Sequence, residues 1–130
     1  MQWLVHGTLH DAVAQSLRQQ EHQTHTMTEL GPQENMRELL KAAQTKQWDI
    51  ITNDPELVRS IYDEKIWFNR SIVFLQLAGA GAGGGDVEQD DAIDRLFKRY
   101  KRLSPGRLYT VTESRVKIRQ LPSPKTKTER

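Results

Sequence analysis

The stretch SIVFLQL, residues 71–77, constrains the fold more than any other segment. It is apolar almost throughout and rich in β-branched and aromatic side chains, which suits a strand buried on both faces. Such a strand belongs inside a parallel sheet, and parallel strands must be joined by crossovers that are usually helical. The rest of the chain supplies them. Residues 3–5 read as a first strand. A helix over 9–19 follows, with Leu9, Val13 and Leu17 on one face and Thr8 as its N-cap. A polar strand over 22–27, a break at Gly31-Pro32 and a helix over 33–46 come next, the helix burying Met36, Leu39, Leu40 and Ala43. Residues 48–52 form a third strand. A third helix starts at Pro55, capped by Asn53 or Asp54, with Leu57, Val58 and Ile61 as its apolar stripe.

Beyond the apolar run stands AGAGAGGG, residues 78–85, too rich in glycine to be rigid. A helix over 89–102 carries Ile93, Leu96, Phe97 and Tyr100. Residues 107–112 and 115–121 alternate with period 2 about Glu113-Ser114, as a β-hairpin does. The expected fold is one α/β domain over residues 1–121: a doubly wound, mostly parallel sheet with helices on both faces, a C-terminal helix and a hairpin at 107–121. The hairpin should run antiparallel to the other strands or pack apart from them. Residues 122–130 read as a frayed basic tail.

Cysteine is absent, so disulfides and thiolate metal sites are excluded. No apolar run approaches the roughly 20 residues of a membrane span, and no basic leader opens the chain, so a cytoplasmic protein is expected. The formal charge of +2 conceals a division. Residues 1–94 hold 7 Lys/Arg against 15 Asp/Glu, whereas residues 95–130 hold 12 against 2. An acidic body with a basic C-terminal face either meets a phosphate backbone or packs and is solvated.

The glycine run is no phosphate loop, because Asp86-Val87-Glu88 follows it where Lys-Ser/Thr is required. A better candidate is IITNDPEL, residues 50–57. Ligands of open parallel sheets collect at strand carboxyl ends, and Asp54, Glu56 and Glu34 could meet there around Mg²⁺ or Mn²⁺. Asp54 as a helix cap and Glu56 as a first-turn acid explain the same residues without a metal. Asp86, Glu88, Asp90 and Asp91 form a second acidic group, either contributing to such a site or opening the next helix.

Several features occur together in order: a short apolar strand at the start, the AVAQSLRQQEH helix, HTMTELG, an acid opening the second helix, TNDPEL at 52–57 and SIVFLQL. In this the chain resembles the small PIN-like proteins of the PIN-domain nuclease superfamily. The resemblance implies a doubly wound α/β fold with an acidic pocket. Active members are Mg²⁺- or Mn²⁺-dependent ribonucleases, and many are toxins of bacterial toxin–antitoxin pairs. Carried over, Asp54, Glu34 (with Glu38 as a substitute) and Glu56 are the catalytic acids. Asp54 and Glu34 then hold the metal, with His6 where the family places its first-strand aspartate and Gly7 in place of the next acid. Imidazole favours transition metals over Mg²⁺, so His6, alone or with His10, either replaces the lost acid or marks its loss. Lys98, Arg102, Arg107, Arg115, Lys117 and Arg119, with Tyr100 and Tyr109 among them, are the candidate RNA contacts. Two functions follow: a non-catalytic or weakly active module that binds RNA or a protein such as an antitoxin, or an active ribonuclease. Self-association into a homodimer stays open.

Overall fold

The computed structural model describes residues 1–9, 11–77 and 86–122, with backbone only at 86–88. Expectations placed on His10, on the glycine-rich 78–85, on the carboxylates of Asp86 and Glu88 and on the tail from 123 lie outside the described residues.

The elements in chain order are β1 (Gln2–His6), α1 (Asp11–Gln19), β2 (Gln23–His25), α2 (Met27–Leu30), α3 (Met36–Thr45), β3 (Asp49–Thr52), α4 (Pro55–Asp63), β4 (Ile72–Leu75), α5 (Asp86–Arg99), β5 (Arg107–Val111) and β6 (Val116–Gln120). They build one α/β sheet in the order β2-β1-β3-β4-β5-β6. The first five strands are parallel, and β6 is antiparallel to β5. The hairpin therefore neither opposes the sheet as a whole nor stands apart: β5 continues the parallel register, pairing Ile72 with Leu108 and Leu75 with Val111.

Two cores line the two faces. On one, Leu4, Ile50, Ile72, Phe74 and Leu108 meet Leu39 and Leu40 of α3 and Leu57 and Ile61 of α4. On the other, Trp3, Ile51, Val73, Leu75, Tyr109 and Val111 meet Val13 and Leu17 of α1 and Ala92, Ile93, Leu96 and Phe97 of α5. All four residues of β4 are buried, as its unbroken apolar run requires. The polar β2 is held at the edge by His22, just before it, and by its own His25. Trp3 Nε1 donates to His22 Nδ1 at 2.9 Å, and His25 stacks on Trp48 with ring centroids 3.9 Å apart.

The steps β3-α4-β4 and β4-α5-β5 move the same way across the sheet, yet α4 and α5 cover opposite faces. These two crossovers therefore have opposite hands. The crossovers through α1 and α3 share the hand of α4, so α5 makes the exception to a rule obeyed by about 98% of such units. Its placement beside α1 leaves β6 at the edge of the α3/α4 face without a helix of its own, and residues 117–120 of that strand are exposed.

Candidate functional site

The chain leaves β1 toward β2 and returns on the other side as β3, so the sheet's switch point lies between β1 and β3. The tips of these strands carry His6-Gly7-Thr8 and Thr52-Asn53-Asp54. His6 and Thr52 are register partners and point to the α3/α4 face. His6 Nδ1 and Thr52 Oγ1 share a hydrogen bond of 2.8 Å, and the same oxygen accepts the Asp54 amide at 2.9 Å. His6 is only 8% exposed. Burial pushes its pKa below the ordinary histidine value, and the Asp54 charge pulls it partly back.

Across the switch point, Asn53 clasps Thr8. Its Oδ1 accepts the Thr8 amide at 2.9 Å and its Nδ2 donates to Thr8 Oγ1 at 3.0 Å. Thr8 thus serves β3 rather than capping α1, which begins at Asp11. Gly7 has φ +91°, and a Cβ there would lie 2.4 Å from Asn53 Oδ1. The crevice where doubly wound folds hold their ligands is bridged by side chains.

The acids are placed by helix starts. Asp54 Oδ1 accepts the Glu56 amide at 2.9 Å, making Asp54 the N-cap of α4 ahead of Pro55. Glu56 pairs with Arg59 on the same helix. Glu34 is exposed and stands before α3, whose N-cap is Asn35 accepting the Glu38 amide at 2.9 Å; the helix starts at Met36, not at 33. Glu34, Asp54 and His6 are not gathered: among the described residues no three His, Asp or Glu side chains form a group that could hold a metal ion. Among the described residues the donors at the strand tips do not make up a Mg²⁺ or Mn²⁺ site.

Beside His6 opens a cavity of about 590 Å³, lined by Met27, Met36 and Leu39 with Thr28, Gln33 and Asn35. Among the described residues no Asp, Glu, Lys or Arg lines it. A second recess, about 450 Å³, lies on the face that α5 leaves bare. Val58, Phe74 and Leu108 form its apolar part, Gln76 and Thr110 supply polar groups, and Lys117 and Arg119 flank it.

The six candidate cations divide into two sets. Lys117 and Arg119 stand opposite Thr110 and Leu108, so both face the open recess, and exposed Arg115 precedes them in the same alternation. The Arg119 guanidinium sits 3.7 Å above the Tyr62 ring centroid, and Tyr62 Oη donates to the Gln120 carbonyl at 2.8 Å. Burial raises the Tyr62 pKa, with Arg119 opposing it. Exposed Lys98, Arg102 and Arg107 lie at or beyond the end of α5 and at the start of β5. Because the helices run against the parallel strands, first-turn acids Asp11, Glu38 and Glu56 gather at the sheet's carboxyl edge. Arg18, Lys98 and Arg99 end their helices at the amino edge. This is the distribution that helix dipoles favour.

The chain matches no protein-family model, no curated protein and no solved structure. Residues that the sequence reading passed over take part in these sites. Thr52 organises the strand tips, and Asn53, read from the sequence only as a cap, clasps Thr8 there; away from the tips, at the amino ends of β3 and β4, buried Asp49 accepts the amide and hydroxyl of Ser71, each at 2.9 Å. Helix α2 was signalled by Thr26-Met27-Thr28-Glu29, a capping box with both reciprocal bonds present.

Proposed function

We propose that the protein is a non-catalytic, PIN-like module of the cytoplasm that binds RNA along strand β6. The observation that carries the reading is the open face of β6. Lys117 and Arg119 project from it, exposed, beside a recess that has polar groups and an apolar floor, with Arg119 lying against Tyr62 of α4 at the recess's edge. A basic strand face of this kind can follow a phosphate backbone. The doubly wound sheet, with the tips of β1 and β3 side by side, supports the PIN-like reading. The use of the first strand's tip supports binding over catalysis. His6 is committed to Thr52, and a side chain at position 7, an acid included, would strain the backbone at φ +91° and displace the Asn53 amide from Thr8.

The test is binding of a labelled RNA oligonucleotide at increasing salt. Counterion release makes log affinity fall against log salt by about 0.7 per neutralised phosphate on a single strand. Lys117→Ala with Arg119→Ala should reduce that slope by roughly 1.4, two contacts' worth. A response flat in salt would overturn the RNA reading and leave a protein partner for this face. Cleavage of RNA with Mn²⁺ that Asp54→Asn abolishes would overturn the non-catalytic one.

A further inference from the structure

Trp67 is 52% exposed, while Trp3 and Trp48 are buried, and it is the one exposed large aromatic among the described residues. An indole left in water gives up a large burial gain, so its position calls for a reason. The loop that carries it is not loose. Ile66 and Phe68 on either side are core residues, the Ile66 amide bonds the Ile61 carbonyl at 3.0 Å, and the Asn69 amide bonds Gln44 Oε1 at 2.7 Å. The ring is therefore presented by a fixed backbone, which lowers the entropy lost when something stacks on it.

The loop is also tied to the basic hairpin at both ends. Tyr62 Oη reaches the Gln120 carbonyl, the Gly106 amide bonds the Arg70 carbonyl at 3.0 Å, and the Leu121 amide bonds the Gly106 carbonyl at 3.0 Å. These bonds bring Trp67 to the amino edge of the sheet, the end of β6 where Arg119 stands and where Arg107 opens β5. Exposed Lys65 lies two residues before it. A single-strand site needs two parts, cations for the backbone and a bare π-surface for a base, and both kinds of group are present at this edge.

We propose that Trp67 is a base-stacking platform and that the RNA taken by this face is single-stranded. The proposal rests on the RNA reading above and adds its substrate class. A duplex keeps its bases stacked on one another and offers none to an indole, whereas a single strand can splay one out.

The probe is octauridylate with a fluorescent label. The two buried tryptophans are shielded, so quenching of intrinsic emission on titration reports Trp67. The expected result is saturable quenching, with affinity by label anisotropy weakened about tenfold in Trp67→Ala. Trp67→Phe, which keeps a π-face, should recover much of the loss, and unchanged far-ultraviolet dichroism would show each variant folded. Salt-dependent binding without quenching, and equal in Trp67→Ala, would overturn the platform while leaving the RNA reading standing. A duplex that binds as tightly as the single strand would overturn the substrate class. Absence of binding at low salt would overturn the RNA reading and the proposal with it.

Discussion

Replacing Gly7 by alanine tests the geometry of the strand tips most directly. Two separate costs arise. The backbone at φ +91° lies where an L side chain is strained, worth about 1–2 kcal/mol. The new Cβ would also fall 2.4 Å from Asn53 Oδ1, so Asn53 must withdraw and release both bonds to Thr8. At about 1 kcal/mol net for each hydrogen bond, the total loss is about 3–4 kcal/mol. Asn53→Ala alone should cost about 2 kcal/mol, the clasp without the strain. In that background Gly7→Ala should cost only the strain, about 1–2 kcal/mol, so the two substitutions should be coupled by about 2 kcal/mol. Urea unfolding of the four proteins measures the cycle. With slopes of about 1–3 kcal/mol per molar urea, Gly7→Ala should lower the midpoint by at least about 1 M. Strict additivity, or a Gly7→Ala cost below about 1 kcal/mol, would refute the clasp as the reason for this glycine.

Two further outcomes are expected at the same tips. Burial holds His6 below its ordinary value near 6.5, so the unfolded chain takes up the proton first as pH falls. The stability that neutral His6 contributes is complete above about pH 6.5 and is lost on acidification toward the folded value; an imidazole ¹⁵N titration with its midpoint at or above 6.5 would contradict this. At Asp54, alanine should cost about 1 kcal/mol in thermal unfolding through loss of the α4 cap, while asparagine, an equally good cap, should cost almost nothing. A large loss with asparagine would show that the charge, not the cap, holds this turn.

What could be read along the chain was local. The apolar run at 71–77 states its two-faced burial outright, and β4 lies within it. Asp54-Pro55 states a helix start, and period-2 alternation gives both strands of the hairpin. Other features depend on neighbours distant in sequence. Gly7 is explained only by Asn53, and His6 by Thr52, 46 residues away. That β5 would join β4 in parallel depends on α5 crossing the length of the sheet, and that it crosses on the face of α1 is something the pattern of α5 does not specify. Helix α2 was missed for the opposite reason: its capping box is written in the sequence, but four residues are too few to show a period.

The separation of charge along the strand direction also governs how the molecule meets a polyanion. With Glu38 and Glu56 at one end and Lys98, Arg99 and Arg107 at the other, these helix-end and strand-end charges contribute a moment directed along the sheet. Under the RNA reading proposed above, the field of the polyanion would exert a torque on that moment before any contact forms, turning the amino edge inward and the acidic strand tips outward. The encounter is thus oriented while the partners are still within a Debye length of each other, about 8 Å at physiological salt, and fewer collisions arrive wrong end first.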